Sequence, residues 1–178
     1  ENVFFVKKDT IAPEIQSNGE QGGDNNWLSE QRAYNYNVDF KDSLSYLSYA
    51  QYKVTSSTGL NGASIIDWTN IETGISSPAY VTDWAVNFQQ VQEWATNYVS
   101  VRLADIAGNI TTFYDLFHIR KDTTSPSISN GETGQSVLWR NSSKPGGYNI
   151  TFMDYSSKLS NVQYRAYAST GGANPVTG

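Results

Sequence analysis

The sequence repeats itself after about 112 residues, and this repeat constrains the fold more than any other feature. Lys8-Asp9-Thr10 recurs as Lys121-Asp122-Thr123, 113 positions later. One residue is then lost, and from Ser17 to Gly59 the offset is 112 without a gap. The matched pairs include Trp27 with Trp139, Tyr36 with Tyr148, Phe40 with Phe152, Asp42 with Asp154, Leu47 with Leu159, Tyr52 with Tyr164 and Gly59 with Gly171. A match of this length predicts two copies of one structural unit.

The repeat also predicts where the units begin and end. Residues 3–8 resemble residues 116–121, so residues 1–10 are interpreted as the last strand and linker of a preceding unit. Residues 11–122 then form one complete unit, and residues 123–178 form the first half of a following unit. An isolated half sandwich would leave an apolar face and an unpaired edge in water. We therefore expect this chain to be a segment of a longer array.

Within the complete unit, apolar residues alternate with polar ones, which is typical of half-buried β-strands. The predicted inward-facing stripes are Tyr34, Tyr36, Val38 and Phe40, then Ala50, Tyr52 and Val54, and later Val99, Val101 and Leu103; Tyr148, Ile150 and Phe152 repeat the first stripe. Asp105–Asn109 is predicted to be a hairpin turn, because Gly and Asn tolerate positive φ. Only Asn87–Trp94 has helical spacing, and we expect a short crossover there.

About seven or eight strands in roughly 110 residues predict an all-β fold, an antiparallel immunoglobulin-like β-sandwich. Three sequence features resemble the tandem immunoglobulin-like repeats of large bacterial surface and secreted proteins. These are the unit boundary at 7–13 and 120–126, with Asp-Thr-x-x-Pro after basic residues, the segment Tyr98–Ala104 leading into Asp105-x-Ala-Gly-Asn109, and the aromatic strand Phe113–Ile119. The resemblance implies an extracellular or cell-surface stalk, spacer or adhesive rod whose partners are neighbouring repeats of the same chain.

Composition and charge argue against several other classes of function. The net charge is −5 and there is no basic block, so nucleic acid is not an expected partner. No apolar run is long enough to span a bilayer, and the absence of Cys excludes disulfides and thiol catalysis. The single histidine, His118, is matched by Phe5 in the repeat, so it is not expected to be a general base or a metal ligand. We do not expect an enzyme.

Carboxylates near the unit boundaries offer a candidate metal site. Asp9 lies in the linker, Asp42 follows a main strand, and Asp105 opens the hairpin turn; Asp122 and Asp154 recur in the next unit. Sandwich topology would bring the first three to one end of the domain, where their oxygens could bind a calcium ion at the junction. The alternative is that these side chains only cap their own backbone amides, as Asp commonly does in turns.

Three tryptophans, Trp68, Trp84 and Trp94, are candidates for an aromatic surface that binds carbohydrate or a receptor. Core packing is the competing interpretation, because large aromatic side chains are more often buried, and the paired positions of Trp27 and Trp139 favour packing. A further alternative is a self-assembling fibre in which residues 1–8 complete another copy by strand donation. Sequons at Asn109, Asn141 and Asn149 are interpreted as coincidental in a chain rich in Asn, Ser and Thr.

Overall fold

The computed structural model describes residues 3–132 and 139–167. The chain divides after Thr123 into two compact units, unit 1 and unit 2, and each is described by itself. The strands are β1 (Glu14–Asn18), β2 (Trp27–Leu28), β3 (Val38–Lys41), β4 (Leu47–Thr55), β5 (Ser64–Ser77), β6 (Ala79–Tyr80), β7 (Ala95–Asp105), β8 (Ile110–Lys121), β9 (Ser127–Asn130) and β10 (Ile150–Met153). The described residues contain no α-helix, only a 3-10 turn at Thr58–Leu60, so the all-β prediction is confirmed.

Unit 1 has two sheets. One has the strand order β1-β3-β6, and the other has the order β2-β8-β7-β4-β5. All neighbours pair antiparallel except β2, which lies parallel to β8. Asp105–Asn109 connects β7 to β8 as a tight turn, in which the Gly108 N–H donates to the Asp105 carbonyl oxygen at 3.3 Å.

Side chains from the inner faces of the two sheets form one core. Most of the predicted stripes are buried, and the buried members are Tyr36, Val38, Phe40, Ala50, Tyr52, Val54, Val99, Val101 and Leu103. The Tyr36 ring stacks on Phe117 of β8 at 4.5 Å between centroids, and Tyr52 of β4 stacks on Trp84 at 5.7 Å. Burial of this aromatic and aliphatic surface stabilises the unit, which contains no disulfide.

The offset change near the start of the repeat coincides with a β-bulge. Strand β1 pairs with β3 so that Ile15 lies opposite Phe40 and Ser17 lies opposite Asp39, which leaves Gln16 as an extra residue. Strand β9 pairs with β10 in the equivalent register and has no bulge. A bulge absorbs one residue without shifting the faces of the strand, so the flanking pairs are the same in both units.

Loop hydrogen bonds also recur 112 positions apart. In unit 1 the Gly19 N–H donates to the Asn37 carbonyl at 2.9 Å, and in unit 2 the Gly131 N–H donates to the Asn149 carbonyl at 2.8 Å. Ion pairs follow the same spacing, with Arg32–Glu20 at 2.8 Å and Lys144–Glu132 at 2.5 Å. In both units the cation also lies over a tyrosine ring, Tyr36 at 4.6 Å and Tyr148 at 5.1 Å. The match of Ser57–Gly59 with residues 169–171 lies outside the described residues.

Two local details of unit 1 differ from the sequence expectations. Asn87–Trp94 connects β6 to β7, as expected of a crossover, but it forms consecutive turns without helical structure; Phe88 and Val91 are buried as the spacing predicted. The Asn87 side chain accepts the Gln89 N–H at 3.2 Å, and such bonds compete with helical ones. Tyr34 is exposed, not inward-facing, because its ring packs against the Arg32 guanidinium at 4.3 Å on the surface.

In unit 2, the predicted inward stripe is not covered. Tyr148 is 73% exposed and Ile150 is 41% exposed, whereas the matched Tyr36 and Val38 are buried. Trp139 is fully exposed, so the packing predicted for it from its match with the half-buried Trp27 was wrong. In unit 1, Tyr36 is covered by side chains of the other sheet, such as Phe117 of β8.

Candidate metal centre

Three carboxylates from distant parts of the sequence meet at one end of unit 1. Asp9 lies on the segment before β1, Asp42 directly follows β3, and Asp105 is the last residue of β7. One carboxylate oxygen from each lies within 4.8 Å of the others. We call these three residues the acidic triad.

Backbone N–H groups orient the carboxylates of the triad. Asp42 Oδ1 accepts hydrogen bonds from the N–H groups of Leu44, Ser45 and Tyr46, at 2.9–3.1 Å. The Ser45 N–H also donates to Asp9 Oδ2 at 2.9 Å, so one amide joins two members of the triad. The loop between β3 and β4 therefore holds Asp42 and Asp9 side by side.

Asp105 is held by the hairpin turn that it opens. Its Oδ1 accepts the Asn109 N–H at 2.8 Å, and its Oδ2 accepts the Asn109 side-chain Nδ2 at 2.7 Å. The same Nδ2 lies 3.4 Å from the carbonyl oxygen of Asp9. Asn109 thus connects the hairpin to the incoming segment, a role that the sequence analysis missed. The signal was present in Asp105-x-x-x-Asn109, which was interpreted only as a turn and a sequon.

The hydrogen bonds around Asp9 favour the ionised form of its carboxyl group. Hydrogen bonds from Ile11 and Ser45 hold the pKa of Asp9 below its usual value. Asp42 and Asp105 are buried, with 5% and 3% of their surface exposed. Among the described residues, no Lys or Arg forms an ion pair with any member of the triad. Three carboxyl groups that lie close together without a basic partner offer a set of oxygen ligands to a cation.

The donor set matches the preference of calcium. Ca²⁺ binds carboxylate and other oxygens at about 2.3–2.6 Å, so two oxygens on one ion lie at most about 5 Å apart. The separation of at most 4.8 Å within the triad fits this limit. Asp9, Asp42 and Asp105 could therefore bind one calcium ion together, with further oxygens from the backbone or water. The capping alternative is compatible with the same geometry, because the N–H contacts leave other carboxylate lone pairs free.

The other two carboxylates predicted for a metal site lie in different units. Asp122 directly follows β8 in unit 1, is buried, and donates its N–H to the Leu28 carbonyl at 3.0 Å. Asp154 follows β10 in unit 2, and its Oδ1 accepts the N–H groups of Ser156 and Lys158 at 3.1 and 3.0 Å. This repeats two of the bonds made by Asp42. Within the part of the chain that the structure describes, neither belongs to a cluster of three metal-ligating side chains.

The three candidate tryptophans do not form a common surface. Trp84 is buried in the core and donates its indole N–H to the Val38 carbonyl at 3.3 Å, so its selection as a surface ring was wrong. Trp68 is half-buried on β5 beneath the Arg102 guanidinium, at 4.5 Å. Trp94 is 63% exposed and precedes β7. Arg102 lies seven residues after Ala95, where β7 begins, which is a rise of about 23 Å along the strand.

His118 packs beside Tyr98 on the neighbouring strand, with ring centroids 6.4 Å apart. Its Nε2 is buried and, in residues 3–132 and 139–167, finds no hydrogen-bond partner. It takes no part in the acidic triad.

Searches with family models, curated proteins and solved structures give no match to this chain. No helix in the described ranges is long and apolar enough to cross a membrane.

Proposed function

We propose that this chain is a structural segment of an extracellular array of tandem immunoglobulin-like sandwiches, acting as a stalk, spacer or adhesive rod. The observation that carries the proposal is the recurrence of one local structure 112 residues apart. Strand register, the glycine contacts at Gly19 and Gly131, and the ion pairs at Glu20 and Glu132 are all repeated. The cation of this ion pair is Arg32 in unit 1 and Lys144 in unit 2. The repeat therefore preserves a structural contact, as expected of a scaffold, and does not preserve one particular reactive side chain.

The segment before Asp9 supports continuation of the array in the N-terminal direction. Phe4 and Val6 are about four-fifths exposed. Their matched residues in the repeat, Phe117 and Ile119, are almost completely buried in β8. Exposed apolar side chains at positions that are buried in the matched unit are expected where a strand belongs to a neighbouring core.

The acidic triad supplies a means of stiffening such an array. Asp9 belongs to the incoming segment, whereas Asp42 and Asp105 belong to two loops of the sandwich. A calcium ion bound by all three would fix the incoming segment to the end of the domain and restrict bending between neighbours. A chain of domains keeps an extended end-to-end length only if such junctions resist bending.

Electron microscopy of the parent protein tests the proposal. The expected image is a beaded rod on which successive beads correspond to units of about 110 residues, and chelation of calcium should make the rod more flexible. Surface labelling of intact cells should reach the chain. A compact particle without beads, or a chain that is protected from the label until the cells are lysed, contradicts the proposed array or its location.

A further inference from the structure

The chain contains three Asn-Gly pairs, at Asn18-Gly19, Asn61-Gly62 and Asn130-Gly131. In such a pair, the backbone nitrogen of glycine can attack the Asn side-chain carbonyl carbon, because glycine has no Cβ to hinder the approach. The reaction requires a mobile Asn side chain and a backbone nitrogen that can leave its hydrogen bond. The fold provides these conditions unequally at the three sites.

Two of the pairs are held by hydrogen bonds on both reacting groups. Asn18 Oδ1 accepts the Glu20 N–H at 3.0 Å, and its Nδ2 donates to the Leu116 carbonyl at 3.2 Å. The attacking nitrogen, on Gly19, donates to the Asn37 carbonyl at 2.9 Å. Both groups must leave their partners before they can react.

Asn130 in unit 2 repeats two of these three hydrogen bonds. Its Oδ1 accepts the Glu132 N–H at 2.8 Å, and the Gly131 N–H donates to the Asn149 carbonyl at 2.8 Å. The two pairs occupy matched positions of the repeat and therefore serve as controls for each other.

The third pair is different. Asn61 is exposed in the connection between β4 and β5, where its Nδ2 makes one solvent-exposed hydrogen bond to the Thr58 carbonyl at 3.2 Å. No acceptor for the Gly62 N–H is found in the described part of the chain. A Cβ at position 62 would clash with the Ser57 backbone nitrogen, so the tight turn requires glycine. Packing thus imposes the residue that makes Asn61 reactive.

We propose that Asn61 is a site of spontaneous deamidation, selected by the native fold over the other two Asn-Gly pairs. The Gly62 nitrogen loses its proton and attacks Asn61 Cγ, so that a C–N bond forms. The bond from Cγ to the side-chain –NH2 group breaks, and this group takes up a proton and leaves as ammonia, which gives a cyclic imide. Water then adds to either imide carbonyl, and the ring opens to aspartate or isoaspartate. The only co-reactant is water. Each conversion adds one negative charge to the net charge of −5.

The new charge arises beside a constrained contact. Gly59, two residues earlier, donates its N–H to Asp115 Oδ2 at 2.7 Å. Asp115 has φ of +50°, and its Oδ1 is buried without a hydrogen-bond partner in the described ranges. A second carboxylate near this one, or the extra backbone atom of isoaspartate, loosens the contact between the turn and β8. Deamidation would therefore slowly weaken the contact between the connection from β4 to β5 and strand β8.

Peptide mass spectrometry of the full chain after incubation at mildly alkaline pH tests the proposal. In native buffer, Asn61 should convert about tenfold faster than Asn18 or Asn130. Three hydrogen bonds hold the Asn18-Gly19 pair and two hold the Asn130-Gly131 pair, including one on the attacking nitrogen, whereas a single exposed one holds Asn61. In concentrated urea the three rates should agree within about threefold, since the sequence pair is the same. Equal native rates, or faster conversion of Asn18 or Asn130, would overturn the proposal.

The variant Asn61→Gln separates this chemistry from a general loss of structure. It should remove the fast conversion while Asn18 and Asn130 keep their slow native rates and the circular dichroism spectrum stays unchanged. If fast conversion then appears at either of these two sites, the protection assigned to their hydrogen bonds is wrong.

Discussion

Calcium binding at the acidic triad makes the most direct thermodynamic prediction. Asp42 and Asp105 are buried, and their nearest oxygens lie within 4.8 Å. With an effective dielectric constant of about 20, two unit charges at this distance repel each other by about 3.5 kcal/mol. The N–H groups around the triad offset part of this repulsion, and a bound cation would remove much of the rest.

The expected result is a large shift in thermal stability. At a free calcium concentration one hundred times the dissociation constant, binding to the native state alone adds about 2.7 kcal/mol. For a unit of roughly 110 residues, this raises the melting temperature by about 10 °C. The assay is a thermal melt followed by circular dichroism, with calcium and with chelator, because the chelated sample removes every divalent ion.

Two variants of equal charge change identify the source of the shift. Asp42→Asn keeps an oxygen acceptor for the loop N–H groups but removes one anionic ligand, so the calcium-dependent shift should largely disappear. Asp83→Asn changes an exposed carboxylate outside the triad, and should keep the full shift. Identical melts of the unmodified chain with calcium and with chelator would refute the metal site and leave the carboxylates as caps. Loss of the shift in Asp83→Asn would point to a general charge effect.

Three other predictions concern the fold itself. Gly23→Ala should destabilise unit 1 by about 2 kcal/mol more than Gly22→Ala, as measured by urea unfolding. Both glycines have positive φ, but only a Cβ at position 23 would clash with the His118 backbone, and equal losses of stability would contradict this reasoning. Trp84→Ala should cost about 3–5 kcal/mol, whereas Trp94→Ala should change stability by less than about 1 kcal/mol; a similar cost for both would contradict the burial difference. Burial raises the pKa of Asp24 despite the nearby Arg32, so an NMR titration should give this carboxyl a pKa above 3.8. The contribution of Asp24 to the stability of unit 1 is then fully present below pH 3.8 and is lost as the pH rises through the pKa of the folded state. A measured pKa at or below 3.8 would contradict this prediction.

Local features of the sequence were sufficient for the buried faces of three strands and for the turn between β7 and β8. Alternation predicted the buried faces of β3, β4 and β7, because a strand places every second side chain on the same face. The repeat predicted that Asp42 and Asp154 would occupy similar loops, and both accept N–H groups two and four residues later. Such bonds join near neighbours, so the required residue types appear together in the sequence.

The tertiary structure decided what periodicity and composition cannot encode. Trp84 and Trp94 are only ten residues apart, yet one is buried and the other exposed, because burial depends on what packs against each ring. Asn87–Trp94 has helical spacing, but side-chain hydrogen bonds and the path between sheets favour turns. The convergence of Asp9, Asp42 and Asp105 was expected from sandwich topology, whereas the link through Asn109 was not. That link joins the hairpin to a segment 100 residues away in sequence, and only the paired strands bring such distant groups within hydrogen-bond distance.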